Sequence, residues 1–92
     1  MIIYIIERDN PYERPEPQVV KHWIEALAIV KNEYEEQLKE LDITQDMIDN
    51  GTGCYGCYWE FEDGQYYGSA VIDSDYDLDK WEWRITEHFI EL

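Results

Sequence analysis

Basic residues are scarce in this chain. Its 92 residues include 7 lysines and arginines against 22 aspartates and glutamates, which gives a formal net charge of −15 at pH 7. Affinity for nucleic-acid phosphates comes from Lys and Arg side chains that displace counterions. The composition therefore argues against direct binding of DNA or RNA.

Long hydrophobic runs and cysteines are also few. The longest apolar run at the start, Met1–Ile6, has no basic leader and stops at Glu7. Since a membrane-spanning helix needs about 20 apolar residues, we expect a cytoplasmic rather than a membrane or secreted protein. Cys54 and Cys57 form no disulfide framework, and strand spacing directs them to opposite faces. We interpret them as one packed and one half-exposed thiol. A zinc site would need a second ligand pair, and a redox site would need a cysteine at a helix N-terminus, whereas this pair enters a predicted strand.

Motifs for catalysis are missing as well. The glycines at Gly51, Gly53 and Gly56 lack the following helix and lysine that phosphate binding requires. Carboxylates are abundant, but no pair is marked by the apolar surroundings that raise the pKa of a general acid. We therefore expect a protein without enzymatic activity, cofactor or bound metal.

The chain has enough apolar material to fold. Hydrophobic residues make up 45% of the sequence and aromatic residues 15%, which is unlike a disordered acidic tail. The length suits one small domain. We therefore treat residues 1–92 as a single acidic domain.

The first half of the sequence predicts a strand and a long helix. Ile2–Ile6 is a dense run apolar at both parities, typical of a well-covered central strand. A proline-containing connection, Asp9–Pro17, follows. From Gln18 to Leu41, apolar residues recur at spacings of three and four, which predicts one helical face. These residues are Val20, Trp23, Leu27, Val30, Tyr34, Leu38 and Leu41.

The far side of this predicted helix is acidic. At about 100° per residue, four glutamates fall together opposite the apolar face: Glu25, Glu33, Glu36 and Glu40. Ile29 lies in the middle of this stripe. It is either a single exposed aliphatic side chain or a contact for self-association or a partner.

The second half predicts mainly strands. Thr44–Asn50 suits one helical turn with Thr44 as its N-cap. Tyr55–Glu62 and Gln65–Ile72 flank Asp-Gly, a strong hairpin signal. Pairing Glu62 with Gln65 sets Trp59 opposite Gly68. This register puts one set of residues on an apolar face: Tyr55, Cys57, Trp59 and Phe61. The other face carries Glu60, Glu62, Tyr58 and Tyr67.

The C-terminal segment fits two structures. Trp81, Trp83, Ile85 and Phe89 share strand parity, although a helix also accommodates most of these positions. We favour a strand because Trp, Ile, Thr and Phe prefer strands. The expected fold is therefore α+β, with an about four-stranded, mainly antiparallel sheet packed against one long helix.

Four aspartates alternate with other residues before this segment: Asp73, Asp75, Asp77 and Asp79. A calcium loop of the EF-hand kind would need glycine and glutamate where the chain has Leu78 and Arg84. The run is therefore a solvated acidic connection or a row of charges, with a weak divalent site as an open alternative.

The net charge can be compared with that of a DNA duplex of the same length as the domain. A chain of this length has a diameter of about 30 Å, and B-DNA of that length carries about 18 phosphate charges. Rows of carboxylates on a helix or an extended segment can follow such phosphates, so we predict a DNA mimic that enters a basic cleft. The expected contact residues are Glu25, Glu33, Glu36, Glu40, Glu60, Glu62, Asp73, Asp75, Asp77 and Asp79. The alternative is an acidic adaptor with an aromatic surface, formed by Tyr58, Tyr67, Tyr76 and Ile29.

The opening Met-Ile-Ile-Tyr-Ile-Ile-Glu-Arg-Asp of Met1–Asp9, the length and the acidic, aromatic-rich composition together resemble the Arn family. These are small antirestriction proteins of T-even phages that act as DNA mimics, and the resemblance extends over the whole chain. It implies a homodimeric phage protein that blocks the modification-dependent restriction endonuclease McrBC in the host bacterial cytoplasm. Other bacterial DNA binders, such as the nucleoid protein H-NS, are implied as further partners.

Overall fold

A computed structural model describes residues 1–50, 54–74 and 79–91, with residues 54, 55 and 74 described by their backbone alone. In these ranges, five strands form one antiparallel sheet in the order β2-β1-β5-β4-β3. The elements are β1 Ile2–Asp9, β2 Gln18–Val20, α1 Trp23–Glu40, α2 Gln45–Asn50, β3 Cys54–Glu60, β4 Gly68–Ser74 and β5 Lys80–Phe89. The predicted α+β class is confirmed.

Strand β1 lies inside the sheet, as its apolar sequence predicts. Its register with β5 runs from Ile2 opposite Phe89 to Asp9 opposite Glu82. Tyr4 and Ile6 are buried toward the helix, and Ile6 has no exposed surface. β5 pairs with the whole of β1 and β2 pairs with Tyr4–Ile6, so the middle of β1 has a neighbouring strand on each side.

The predicted start of the helix at Gln18 is wrong. Gln18–Val20 forms the short strand β2 against Tyr4–Ile6, and α1 begins at Trp23. His22 precedes it in an extended conformation, with φ −125° and ψ 133°. The β-branched Val19 and Val20 favour a strand, and the edge of β1 offers them backbone partners. The sheet therefore has five strands instead of four.

The buried face of α1 is also displaced from the predicted one. Its buried residues are Ala26, Val30 and Tyr34, whereas Leu27 is half-buried. The predicted face included Val20, which belongs to β2, and this inclusion biased the predicted face. The actual face is rotated toward the side on which the acidic stripe was expected.

The hairpin has the predicted turn but a different register. Gly64 has a φ of 84°, and the Gln65 N–H donates to the Glu62 carbonyl at 3.2 Å. Trp59 pairs with Ala70 instead of Gly68, a shift of two residues. Because the shift is even, Trp59 stays on its predicted face.

The reason for this shift lies at Gly68. A Cβ atom at this position would stand 2.5 Å from Cδ1 of Phe61 and 2.6 Å from the carbonyl oxygen of Glu60. Phe61 therefore packs closely over a residue that has no side chain. This contact ends β3 at Glu60 and leaves residues 61–67 as a connection rather than as paired strands.

The C-terminal segment is a strand, as favoured. Trp81, Trp83 and Ile85 of β5 are buried in the core, while Phe89 is 70% exposed. The predicted cap of α2 is also confirmed, because the Met47 N–H donates to Oγ1 of Thr44 at 3.3 Å. No helix in the described ranges is both long and apolar enough to cross a membrane.

The core lies between one face of the sheet and the two helices. Its buried members are Tyr4, Ile6, Val20, Ala26, Val30, Tyr34, Ile43, Ala70, Ile72, Trp81, Trp83 and Ile85. The Tyr34 ring contacts Trp59 and Trp83, with ring centroids 5.3 Å and 5.8 Å apart. Such tilted and edge-on aromatic pairs join α1 to β3 and β5.

Candidate acidic interaction surfaces

The expected phosphate-mimicking residues lie on two opposite sides of the molecule. Glu25, Glu36 and Glu40 are exposed on α1. Glu60 and Asp73 follow residues that face the helix, and therefore point to the uncovered face of the sheet. The structure does not bring these two groups into one row.

Glu33 does not belong to the exposed stripe. Its carboxylate accepts hydrogen bonds from Nε and Nη2 of Arg8, each at 2.7 Å, and from Nε1 of Trp83 at 3.2 Å. The Arg8 side chain is 12% exposed and that of Glu33 34%. Glu33 is therefore a structural residue that ties α1 to β1 and β5, and its assignment as a phosphate mimic is corrected.

Two opposing effects act on the pKa of Glu33. Burial by itself would raise this pKa, but the hydrogen bonds and charge of Arg8, together with the Trp83 N–H, outweigh the burial. The net result is a pKa below the ordinary value. The carboxylate is consequently held in its charged form.

Arg8 is the structural partner of Glu33 that the sequence interpretation missed. It follows Tyr4 and Ile6 at strand spacing, and this parity directs its side chain toward the helix. A basic residue at an inward position of an amphipathic strand signals a buried acidic partner. The partner itself was not identifiable without the position of α1.

Glu36 and Glu40 border a small cleft between α1 and the end of the sheet. The cleft has a volume of about 150 Å³, and its remaining lining is Asn10, Glu33, Gln37, Trp81 and Trp83. Oδ1 of Asn10 is buried without a hydrogen-bond partner in the described structure. Because they are four residues apart, Glu36 and Glu40 are separated by about 6 Å along the helix axis.

The uncovered face of the sheet carries acidic residues that the sequence interpretation left out. Glu7, Asp9 and Glu82 alternate with inward residues of β1 and β5 and line one shallow cleft of 160 Å³ with Arg84. Nη2 of Arg84 pairs with Oε1 of Glu82 at 2.9 Å. A cation at the centre of this face neutralises part of its charge.

The remaining expected carboxylates have separate environments. Lys80 stands opposite Asp73 in the β4–β5 register, and Asp79 accepts a hydrogen bond from the Tyr12 hydroxyl. Glu62 is exposed in the connection after β3. Asp75 and Asp77 lie outside the described residues, as does Tyr76.

The two isoleucines on α1 differ in exposure, and Ile29 is the less exposed of the two. Ile29 is half-buried and packs against the core, so its assignment to an exposed self-association contact is corrected. Ile24 is 81% exposed instead. The rotation of the buried face, which also brings Glu33 inward, explains both positions.

The shape changes the charge comparison. The molecule measures 48 × 28 × 16 Å, with a radius of gyration of 14.2 Å. Duplex DNA as long as the 48 Å axis carries about 28 phosphate charges, so the net charge of −15 matches about half of them. The expected diameter of about 30 Å applies only across the molecule.

Cys57 is half-buried and packs against the core. In the part of the chain that the structure describes, no three His, Cys, Asp or Glu side chains are grouped so that they would hold a metal ion. No family model, curated protein or solved structure matches this chain.

Proposed function

We propose that this chain is a non-enzymatic DNA mimic that occupies the DNA-binding site of a bacterial host protein. The modification-dependent restriction endonuclease McrBC is the proposed first target, and the nucleoid protein H-NS a further one. This proposal makes the chain a phage antirestriction protein that acts as a homodimer in the host cytoplasm. The Arn-like sequence features and the excess of carboxylates support it.

One observation carries the proposal. In residues 1–50, 54–74 and 79–91, the ion pairs engage Glu33, Asp9 and Glu82, and none of the exposed carboxylates on the outer side of α1. Glu25, Glu36 and Glu40 therefore present their charge to the solvent. Exposed carboxylates steer a basic partner and compete with phosphates for its Lys and Arg side chains.

The exposed side of α1 is a better candidate for the contact with the DNA-binding protein than the uncovered face of the sheet. Arg84 and Lys80 reduce the charge of the uncovered sheet face, whereas Glu36 and Glu40 lie on adjacent helical turns without a basic ion-pair partner in the described residues. We call Glu25, Glu36 and Glu40 the helix track. Its spacing is a helical one, so it is expected to replace a few phosphates rather than a full duplex turn.

A competition assay tests this function. A fluorescent DNA duplex bound to the purified DNA-binding subunit of McrBC is titrated with this protein at about 50 and 200 mM salt. We expect displacement of the duplex at the lower salt and, in a separate titration without DNA, a steep loss of this protein's binding to the subunit at the higher salt. The triple variant E25Q/E36Q/E40Q should require at least tenfold more protein.

A matched variant distinguishes the effect of where the carboxylates lie from the effect of the total net charge. E7Q/E60Q/D73N removes the same number of charges from the uncovered sheet face and should displace DNA nearly as well as the parent. Equal losses in both variants would mean that net charge acts without a defined contact. Undiminished displacement by the helix-track variant would refute its role in phosphate mimicry.

The structure also favours a second function, an acidic adaptor with an aromatic contact surface. Tyr58 and Tyr67, the contacts expected for such an adaptor, are exposed by 54% and 59%. Exposed Tyr and Trp side chains are common energetic centres of protein interfaces. Binding through this surface would survive added salt, whereas binding by the helix track would not.

A further inference from the structure

Strand β5 extends four residues beyond the start of its neighbour β4, which leaves a step in the edge of the sheet. The last pair between β4 and β5 is Gly68 opposite Ile85, whereas β5 continues to pair with β1 as far as Phe89. Residues 86–89 of β5 therefore have a strand on one side only. We call this side of residues 86–89 the open β5 edge.

The open β5 edge has unused hydrogen-bonding capacity. In an antiparallel ladder, alternate residues direct both N–H and C=O toward the same neighbour. No backbone hydrogen bond from the described residues reaches residues 86–89 from the β4 side. Four residues at about 3.3 Å each give this edge a length of about 13 Å, enough for a short strand.

A groove runs along this step. Its volume is 560 Å³, within the range of pockets that hold ligands. Trp59 and Tyr67 supply aromatic surface, and Glu60 and Glu62 supply two carboxylates. Arg84 also lines the groove, but its guanidinium is paired with Glu82. Thr86, the first residue of the open β5 edge, forms part of the same lining.

We propose that the open β5 edge binds an extended, Lys- or Arg-containing segment of a partner protein as an added β-strand. The backbone of the segment would pair with residues 86–89, and its basic side chains would lie against Glu60 and Glu62. Aromatic rings beside carboxylates suit cationic side chains, because the ring faces attract the cation. Strand addition is a recurring mode of peptide recognition.

Charge favours a basic segment over a second copy of the chain as the strand that pairs with the open β5 edge. Each copy carries a net charge of −15, and joining two such edges would bring carboxylates such as Glu60 and Glu87 of both copies together. Like charges that face each other across an interface disfavour it. A basic segment has the opposite effect.

The inference goes beyond the proposed function, because strand addition requires neither a DNA-like charge pattern nor the helix track. The two proposals are also separable by experiment. Competition with duplex DNA reports on phosphate mimicry, and peptide binding reports on the open β5 edge.

The probe is a synthetic capped heptapeptide of alternating lysine and valine. It is titrated into the 15N-labelled protein at about 0.15 M salt, where the Debye length of about 8 Å limits long-range attraction. We expect amide shifts concentrated at residues 67–69 and 86–89. A peptide of the same composition with alternate backbone nitrogens methylated should bind at least tenfold more weakly, because methylation removes the donors and obstructs pairing.

Matched variants test the side chains. E60Q/E62Q should weaken peptide binding about fivefold, in line with two partly exposed ion pairs. E36Q/E40Q removes the same charge from α1 and should leave the affinity unchanged within twofold. Backbone pairing and the charge of Glu60 and Glu62 are thereby measured separately.

Three results would overturn the inference. The methylated peptide binding as well as the parent peptide would exclude strand pairing. Shifts confined to α1 would place the contact on the helix track. A homodimer in which the amides of residues 86–89 that point away from β1 are protected from hydrogen exchange without peptide would show that a second copy already occupies the open β5 edge.

Discussion

Arg8 and Glu33 form a two-pronged ion pair that joins β1 to α1, with Nε–Oε1 and Nη2–Oε2 distances of 2.7 Å. The Trp83 indole N–H adds a third hydrogen bond to the same carboxylate. In a chain with 22 acidic residues, this one is held inside the fold, while Glu36, three residues later on α1, is exposed. Neighbouring glutamates on one helix therefore have different roles.

The first prediction concerns this ion pair. Glu33→Gln should lower the free energy of unfolding by about 1–2 kcal/mol, because it leaves the largely buried Arg8 guanidinium without its charged partner. This loss of unfolding free energy is smaller than for a fully buried ion pair because Glu33 is partly exposed. Urea denaturation measures the loss. Glu36→Gln is the control and should stay within about 0.5 kcal/mol of the parent.

The pH dependence of this pair follows from the lowered pKa of Glu33. A carboxyl group whose pKa is lower in the folded state stabilises the fold above its unfolded pKa, which is near 4.5. That contribution disappears as the pH falls through the folded pKa. The stability difference between the parent and Glu33→Gln should therefore be full at about pH 6–7 and shrink below about pH 4.5. A difference that grows on acidification would contradict this sign.

The positions of Ile29 and Ile24 give a third prediction. Ile29→Ser should cost about 1–2 kcal/mol, because the side chain packs against the core. Ile24→Ser, at a side chain that is 81% exposed, should change stability by less than about 0.5 kcal/mol. Thermal and urea unfolding of both variants check this. Equal losses of stability in the two variants would contradict the orientation of α1 that buries Ile29 and exposes Ile24.

The close contact at Gly68 gives a fourth. Gly68→Ala should destabilise the protein by about 1–3 kcal/mol, since the added methyl group would meet Phe61 and a backbone carbonyl that has little freedom to move. Gly64→Ala is the comparison. It has open space but a φ of 84°, so its cost should be about 1 kcal/mol from backbone strain alone.

Much of the fold was predictable because local patterns survive in it. The parity of Trp81, Trp83 and Ile85 predicted the C-terminal strand, and Asp63-Gly64 predicted the turn. The register of the hairpin was not predictable, because the close packing of Phe61 over Gly68 involves two residues that the sequence places on different strands. The short strand at Gln18–Val20 was missed because its backbone partner is distant in sequence.

The candidate site was predictable in composition but less so in geometry. The sequence identifies Glu36 and Glu40 as outward-facing residues, and the structure agrees. It did not show how the expected rows lie relative to one another, and in the structure Glu60 and Asp73 lie across the sheet from the helix track. Which carboxylates lie on the same side of the molecule depends on which face of the sheet α1 covers.

By itself, the sequence determined the acidic character, the α+β class and most strand faces, because charge is additive and side-chain alternation is local. The tertiary structure decided how α1 is rotated over the sheet. A helix buries the face that its neighbours can cover, and the rotation depends on contacts with β1 and β5 that lie far away in the chain. That rotation turned Glu33 and Ile29 inward and left Ile24, Glu36 and Glu40 outside.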